Sequence, residues 1–283
     1  MLSRNNFYRR PGGGTEIFMI PDFTIFGKTF SAYMITALIG IFAAGLYALY
    51  EAKKKKLDEI DFLVTLLWGC AGVFFGGHIL YAITNYRLLN EFIVSFGEIW
   101  IRGDFFNYVM LIFGGSVFYG GLIGGLCTGR YYSDKKGLPT EQYSDIAASA
   151  VPLFHMFGRI GCFLSGCCYG VPSVFGITYT HSAIEAANNV CRFPVQLLEA
   201  AGNLILFLVF RNLLRKGWGK GKLIYFYLIS YGAIRFADEF LRGDEYRGVF
   251  SGISTSQIIA IITILYATAY LIKNKRKNKK TQG

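Results

Sequence analysis

A first group of reactive side chains lies in the apolar segment 152–166. His155, Arg159 and Cys162 follow one another at i, i+4 and i+7, so a helix would present all three on one face. Several glycines surround them and would let a partner helix or a ligand approach the backbone closely. Because a cation is expensive to bury in an apolar segment, this pattern predicts a binding or catalytic site.

A second group occupies a later apolar segment. It contains Tyr231, Arg235, Asp238 and Arg242, at i, i+4, i+7 and i+11, with Glu239 beside them. A guanidinium is a planar fork of donors that fits two phosphate oxygens, so arginines on two helices predict a phosphate site. A simpler interpretation stays open, in which Arg235 pairs with Glu239 one turn later and Arg242 extends its charged end to water.

Cysteines are concentrated near the first group. Cys162, Cys167 and Cys168 stand close together, and Cys191 follows in the next polar stretch. In an oxidising compartment a disulfide between two of them is one interpretation. Zinc bound by three cysteines and His155 or His181 is another, but C-x4-C-C is not a standard spacing of zinc ligands. We therefore expect no metal site.

Two further residues stand in glycine-rich surroundings and could act as bases. Tyr119 lies in the run Gly114-Gly-Ser-Val-Phe-Tyr-Gly-Gly-Leu-Ile-Gly-Gly125, and His78 follows two glycines. Small residues let helices pack closely. Close packing without a chemical role therefore explains both positions equally well.

The composition excludes most soluble classes of protein. Of the 283 residues 17% are charged and 53% hydrophobic, and the mean hydropathy is +0.38. This apolar excess excludes a disordered chain. The net charge of +11 gathers in short runs between apolar stretches. That distribution favours a membrane protein and no nucleic-acid partner.

Seven apolar stretches are long enough to cross a bilayer, which needs about 20 residues as helix. They are roughly Phe23–Tyr50, Phe62–Thr84, Met110–Tyr131, Tyr143–Phe163, Val195–Leu214, Leu223–Leu241 and Gln257–Ile272. The sequence therefore predicts an all-α integral membrane protein with seven transmembrane helices.

The basic runs predict how the chain is oriented in the membrane. With seven crossings the termini lie on opposite sides, and the loops on the C-terminal side hold 18 of the 29 basic residues. Because positive loops stay in the cytoplasm, we expect the N-terminus outside and the C-terminus inside. Residues 1–22 would be an external segment without a cleaved signal peptide, 23–272 one transmembrane domain and 273–283 a basic cytoplasmic tail.

Taken in order, these segments resemble the prolipoprotein diacylglyceryl transferase family of bacterial membranes, over essentially the whole chain. The segment Gly158-Arg-Ile-Gly-Cys-Phe-Leu-Ser-Gly166 is similar to the family's G-R-x-G-N-F-x-N-G-E signature. The segment Tyr231-Gly-Ala-Ile-Arg-Phe-Ala-Asp-Glu-Phe-Leu-Arg242 is similar to its Y-G-x-x-R-F-x-x-E-F-x-R element. Shorter matches occur at Gly114–Leu122, Arg192–Glu199 and Ser254–Ile258.

The resemblance implies a multi-pass enzyme of the bacterial plasma membrane, in contact with membrane lipids. Its reaction moves the diacylglyceryl group from phosphatidylglycerol to the lipobox cysteine thiol of a preprolipoprotein and releases glycerol 1-phosphate. No cofactor is implied. The leaving phosphate needs cations where charge accumulates, and the acceptor thiol must lose its proton to become a nucleophile.

Matching positions imply roles for residues of this chain. Arg235 and Arg242, supported by Arg159, would hold the phosphate. Tyr119, at the position of the family's catalytic histidine, and His78 are alternative bases. The other residues expected to bind substrate are Gln196, Glu199, Tyr33, Tyr231, Glu239, Gly120 and Gly121.

The sequence also departs from the family pattern. Cys162 and Ser165 replace two asparagines, Cys167 a glutamate, Phe193 a histidine and Leu198 a tyrosine. Two other functions therefore stay open. One is transfer to a different acceptor, with the cysteines relaying the group, and the other is a non-catalytic lipid-binding or redox role.

Overall fold

The chain is mostly helical in the computed structural model. The described residues are 15–18, 22–25, 28–115, 117–180, 182, 184–244, 249–250 and 252–280. His181 and most of the expected external segment 1–22 lie outside them. Among the described residues, five helices are long and apolar enough to cross a bilayer. The protein is therefore a mainly helical membrane protein, as the apolar stretches indicate.

The helices in chain order are α1 (Ala32–Lys54), α2 (Glu59–Thr84), α3 (Tyr86–Val94), α4 (Phe96–Ile101), α5 (Phe105–Phe113), α6 (Phe118–Lys136), α7 (Thr140–Ser165), α8 (Val195–Arg215), α9 (Leu223–Asp238) and α10 (Thr255–Lys280). The strands are β1 (Thr15–Phe18), β2 (Asp22–Ile25), β3 (Lys28–Ser31), β4 (Pro172–Thr180), β5 (Cys191–Arg192), β6 (Val249–Phe250) and β7 (Ile253–Ser254). Single 3₁₀ turns cover Glu185–Ala187 and Glu239–Leu241. The five long apolar helices are α1, α2, α7, α8 and α10.

The first predicted span begins too early. Its first residues form the antiparallel pair β2–β3, with Phe23 opposite Phe30, and α1 begins only at Ala32. The Ser31 hydroxyl accepts a hydrogen bond from the backbone N–H of Met34 at 3.1 Å. This bond satisfies one of the free N–H groups of the first turn, so the helix starts there.

The third predicted span, Met110–Tyr131, is broken into α5 and α6. Gly114 and Gly115 lie at the break, and a Cβ on Gly115 would overlap the ring of Tyr81. Val117 is extended (φ −104°, ψ 122°) and donates its N–H to the carbonyl of Gly77 at 3.1 Å. The glycines that made this stretch look like one tight-packing helix are therefore the place where the helix stops.

The chain forms two compact units, residues 1–50 with 144–283 and residues 51–143. In the second unit α2 and α6 pack through two G-x-x-x-G pairs, Gly72–Gly76 and Gly120–Gly124. A Cβ on any of these four glycines would overlap the backbone or a side chain of the facing helix. The two backbones therefore touch, as small-residue pairs allow in membranes.

In the first unit α9 packs against α8 and α10. Asp145 on α7 accepts hydrogen bonds from the backbone N–H groups of Gly221 (2.7 Å) and Leu223 (3.0 Å), which ties α7 to the beginning of α9. After α7, β4 pairs in parallel with β1 and antiparallel with β5. This small sheet and the helix ends around it carry most of the polar residues described below.

Replacing Gly124 by Leu tests the contact between α2 and α6. The added side chain has no room against Gly72 and Gly76, so we expect a loss of at least about 1–3 kcal/mol. The measurement is thermal unfolding of the purified protein in detergent. Gly45→Leu is the matched control, because nothing lies within 4 Å of a Cβ on Gly45. Equal unfolding temperatures for the two variants would disprove the close contact.

Candidate active site

A buried carboxylate on α8 gathers the arginines of the two sequence motifs. Glu199 is 1% exposed. Its Oε1 lies 2.9 Å from Nη2 of Arg159 on α7, and its Oε2 lies 3.9 Å from Nη1 of Arg235 on α9. Both arginines that the sequence placed on separate helix faces therefore meet at one acidic group.

Arg235 makes two further contacts. Its Nη2 lies 2.9 Å from Oε2 of Glu239, one helical turn later, and donates to the hydroxyl of Ser256 on α10 at 3.2 Å. The pairing of Arg235 with Glu239, given above as the simpler interpretation, is confirmed. It does not replace the convergence on Glu199, because the same guanidinium makes both contacts.

The two guanidiniums keep unused donors. Arg159 Nε and Arg235 Nη1 are buried and make no hydrogen bond to any residue the structure describes. Asp238 Oδ2, one turn from Arg235, is likewise buried without a described hydrogen-bond partner. Buried polar atoms are nearly always satisfied. These donors are therefore positioned for oxygen atoms that a ligand or water supplies.

An imidazole and a phenol line the same cluster. His155 Nε2 lies 3.8 Å from Glu199 Oε1, and the rings of His155 and Tyr231 lie 4.8 Å apart between centroids. Both side chains are buried. The predicted face at i, i+4 and i+7 on α7 thus contains His155 and Arg159 as expected.

Arg242 lies just beyond the 3₁₀ turn and is 7% exposed. Its Nε donates to Asp244 Oδ1 at 2.8 Å, and its Nη2 contacts Asp244 Oδ2. Although burial opposes the charge, the hydrogen bond with Asp244 raises the pKa of Arg242 above its usual value. The interpretation that this side chain extends freely to water is wrong, because the bidentate pair holds it in the protein.

The end of α7 folds back in a Schellman motif. The Gly166 N–H bonds to the carbonyl of Phe163, and the Cys167 N–H to the carbonyl of Cys162, both at 3.1 Å. Gly166 has φ +69°, which only glycine adopts easily. A Cβ there would also overlap the hydroxyl of Ser182. The cap therefore places Cys167 over Cys162, although four residues lie between them in sequence.

The three neighbouring cysteines form a thiol cluster. Cys162, Cys167 and Cys168 have Sγ atoms that all lie within 4.8 Å of one another, and all six cysteines of the chain are free thiols. Arg159 Nη1 is 3.9 Å from Cys162 Sγ. Hydrogen bonds from the other two thiols, helped by nearby Arg242, hold the pKa of Cys168 well below its usual range.

Backbone pairing fixes the loop that carries the thiols. Val171 N–H bonds to the carbonyl of Leu241 at 2.9 Å, Gly243 N–H to that of Tyr169 at 2.9 Å, and Gly170 bridges to Arg242. A Cβ on Gly170 would overlap the carbonyl of Phe193. The loop after α7 is therefore clamped beside Arg242, and glycine is required at its centre.

Gln196 connects this loop to α8. Its Nε2 donates to the carbonyl of Cys167 at 2.8 Å, and its Oε1 accepts from the hydroxyl of Tyr179 at 3.1 Å. Burial raises the pKa of Tyr179 to about 12, so the phenol remains a donor at neutral pH. The contacts of Gln196 within the protein therefore orient the cysteine loop.

The remaining predicted residues are on α1 and in the second unit. Tyr33 is on α1, 46% exposed, where the backbone approaches Gly161 of α7 closely. Tyr119 and His78 belong to the second unit. There Gly120 and Gly121 pack against α2, Tyr119 is buried, and His78 Nδ1 donates to the carbonyl of Gly115 at 2.8 Å.

Comparison with known proteins decides the family. A family model described as prolipoprotein diacylglyceryl transferase matches residues 22–273. The chain belongs to this family. It is 34% identical over 245 residues to the phosphatidylglycerol–prolipoprotein diacylglyceryl transferase of Clostridium tetani, covering 86% of this chain and 92% of that protein. With the corresponding transferase 2 of Clostridium perfringens it shares 32% identity over 262 residues, covering 92% and 96%. The resemblance drawn from the motifs is confirmed.

Membership of the prolipoprotein diacylglyceryl transferase family accounts for the arginines and glycines that match its motifs. It does not account for the residues that these arginines contact. Sequence reasoning did not assign roles to Asp244 or Ser256, each of which contacts a charged site residue. Ser256 lies in the short Ser254–Ile258 match, which was the available signal. Asp244 stands two residues after Arg242, and a basic residue followed closely by an acid in a polar loop indicates a pair.

Glu199→Gln tests whether this carboxylate holds the site together. The substitution leaves Arg159 and Arg235 buried without their shared counter-charge, so we expect the protein to lose about 3–5 kcal/mol of stability. Thermal or chemical unfolding in detergent measures the change. As a control, Glu98→Gln removes the partner of Arg102 where both side chains are at least 70% exposed, and should cost about 1 kcal/mol or less. A Glu199→Gln variant as stable as the control would refute the role.

Proposed function

We propose that the arginine cluster around Glu199 is the donor-phosphate site of a diacylglyceryl transferase. The chain is an enzyme that moves the diacylglyceryl group from phosphatidylglycerol to the cysteine thiol of a prolipoprotein, as its family and relatives indicate. The observation that carries the assignment of the site is the convergence of Arg159 and Arg235, from different helices, on one buried carboxylate.

The unused donors explain how a phosphate would bind. Arg159 Nε and Arg235 Nη1 donate no hydrogen bond to any described residue. Phosphatidylglycerol brings a phosphodiester oxygen pair that such donors match. Glu199 and Glu239 balance the two cations before the lipid arrives, which lowers the cost of keeping guanidiniums in an apolar surrounding.

The same arrangement favours the transition state. As the bond between the glyceryl carbon and the phosphate oxygen breaks, negative charge grows on the leaving glycerol phosphate. Fixed guanidinium donors bind this growing charge more strongly than the ground state, and that difference accelerates the reaction. Arg242, buried and held by Asp244, would add a third cation to the same end of α9.

His78 has the hydrogen-bond geometry of a base. A carbonyl oxygen can only accept, so Nδ1 must carry the proton that it shares with Gly115. In the neutral ring Nε2 then keeps its lone pair and can take a proton. Tyr119 starts from a pKa near 10 and needs a strongly cationic surrounding to act as a base. We therefore favour His78 over Tyr119 for deprotonating the acceptor thiol.

The remaining substrate contacts follow from the placement of the residues. Gln196 would support the cysteine loop and Tyr231 the arginine cluster. Tyr33 on α1 would contact lipid, and Gly120 and Gly121 would bind substrate where they pack against α2. The acceptor would be the lipobox peptide of the preprolipoprotein, with its cysteine presented to the donor from the external side.

The proposed membrane arrangement has seven crossings in the bacterial plasma membrane. Five of the crossings would be the long apolar helices, and the other two would be α6 and α9, which are shorter or less apolar. Residues 1–22 would lie outside, 23–272 would form the transmembrane domain and 273–283 the cytoplasmic tail. The excess of lysine and arginine on the C-terminal side supports this orientation.

Arg235→Lys tests the phosphate site while keeping the charge. Lysine cannot form the planar fork, so we expect turnover to fall about 100-fold or more, as when one transition-state donor is lost. The measurement is mass spectrometry of a lipobox peptide incubated with purified protein and phosphatidylglycerol, with glycerol 1-phosphate release followed in parallel. Arg102→Lys, in an exposed pair, is the matched control. Equal turnover of the two variants would refute the site.

Alkaline phosphatase fusions test the orientation. The reporter is active only outside the cytoplasm. A fusion after Lys280 should be inactive and one after Asn189, between β4 and β5, should be active in intact bacteria. The reverse pattern would show that the chain is inserted the other way round.

A further inference from the structure

The thiol cluster at the end of α7 has the dimensions of a metal site. The sulfurs of Cys162, Cys167 and Cys168 all lie within 4.8 Å of one another. Three thiolates bound to zinc at about 2.3 Å in tetrahedral geometry lie about 3.8 Å apart. Closing the cluster around an ion would therefore move each sulfur by only about half an ångström.

Two backbone features bring these sulfurs together. The Schellman cap at Gly166 folds Cys167 onto Cys162. Cys168 then adopts φ +55°, a left-handed conformation that residues with a side chain rarely adopt. Such strain persists where the surrounding structure and function require it. Here the result of that strain is the third thiol in contact with the other two.

We propose that Cys162, Cys167 and Cys168 bind a zinc ion whose fourth coordination position takes the acceptor thiol. Zinc sites with three protein ligands keep the fourth position for water or substrate. No fourth Cys, His, Asp or Glu belongs to this group in the described part of the chain. His155 is directed to Glu199 and Tyr231 instead. Cys162 is buried, whereas Cys167 and Cys168 are half-buried and keep part of their surface accessible.

The charge of the surroundings fits such a site. A zinc ion with three thiolates carries one net negative charge, and binding a fourth thiolate adds another. The Arg159 guanidinium lies 3.9 Å from Cys162 Sγ, and Arg242 lies beside the cysteine loop, where its backbone bridges to Gly170. Thiolates in partly buried positions need this kind of compensation.

The second half of the proposal rests on the proposed transferase function. On binding zinc the acceptor thiol gives up its proton, because a coordinating thiol is deprotonated by the ion. Its sulfur lone pair forms the bond to the glyceryl carbon, and the carbon–oxygen bond to the phosphate breaks. The electron pair of that bond goes to glycerol 1-phosphate, which ends with the proton. The zinc ion would thus activate the acceptor thiol in place of His78.

The metal content of the purified full-length protein is the first test. We expect about one zinc per chain, and the same in Cys191→Ser, whose thiol is outside the cluster. Cys167→Ser should contain less than a tenth of that amount. Protein that neither contains zinc nor takes up Co²⁺ overturns the proposal. A disulfide among the three cysteines, seen as the loss of two hydrogens in intact mass, also overturns it.

Cobalt replacement then tests the fourth position. Sulfur-to-cobalt charge-transfer bands should strengthen when a lipobox peptide is added and stay unchanged with the same peptide carrying serine for cysteine. No change with either peptide refutes thiol binding. Thiol binding is also refuted if the cobalt protein without peptide shows a four-coordinate spectrum that His181→Ala removes. His181 would then be the fourth ligand.

The transfer assay separates this proposal from the function on which it rests. We expect Cys167→Ser to lose diacylglyceryl transfer. Adding zinc or cobalt should not restore the activity. Undiminished transfer by Cys167→Ser without metal would overturn the role of zinc in activating the acceptor thiol and leave the transferase standing. Stoichiometric zinc in a protein that modifies no lipobox peptide would overturn the transferase and the thiol-binding step together, leaving only a structural metal.

Discussion

A buried carboxylate between two arginines organises the first unit of this protein. Charged groups in an apolar surrounding are tolerated only as partners. Glu199 on α8 therefore requires Arg159 from α7 and Arg235 from α9 to lie within reach. Arg235 in turn contacts Glu239 and Ser256, so their positions depend on the same cluster. The register of four helices thus depends on one electrostatic cluster, which is also the proposed phosphate site.

The end of α7 links the two chemical halves of the proposed reaction. Arg159 and Cys162 are three residues apart on one helix, and the Arg159 guanidinium reaches both Glu199 and the Cys162 sulfur. The departures from the family signature are confined to the thiol side of this pair, while the arginines remain. The proposed donor end of the reaction is therefore kept, and the proposed acceptor end is where this chain departs from the signature.

The distribution of buried and exposed side chains is that of a protein surrounded by lipid. Large apolar side chains on the long helices are widely exposed, among them Leu46 at 67%, Phe74 at 60% and Leu265 at 64%. Lipid tails solvate such residues as well as a core does. The interior is instead where Glu199, Gln196 and Arg235 are covered, because polar groups in a bilayer must find partners inside the protein.

The sequence by itself determined the membrane class, the family and the helix faces that carry Arg159 and Arg235. These are local properties, readable from apolar length, charge distribution and the 3.6-residue period. Only the tertiary structure decided that Glu199 would join the arginines and that the cysteines would meet. C-x4-C-C is not a standard zinc-ligand spacing, but backbone turns at Gly166 and Cys168 bring the sulfurs together. Such proximity depends on left-handed backbone conformations and on helix register, and neither is encoded in linear spacing.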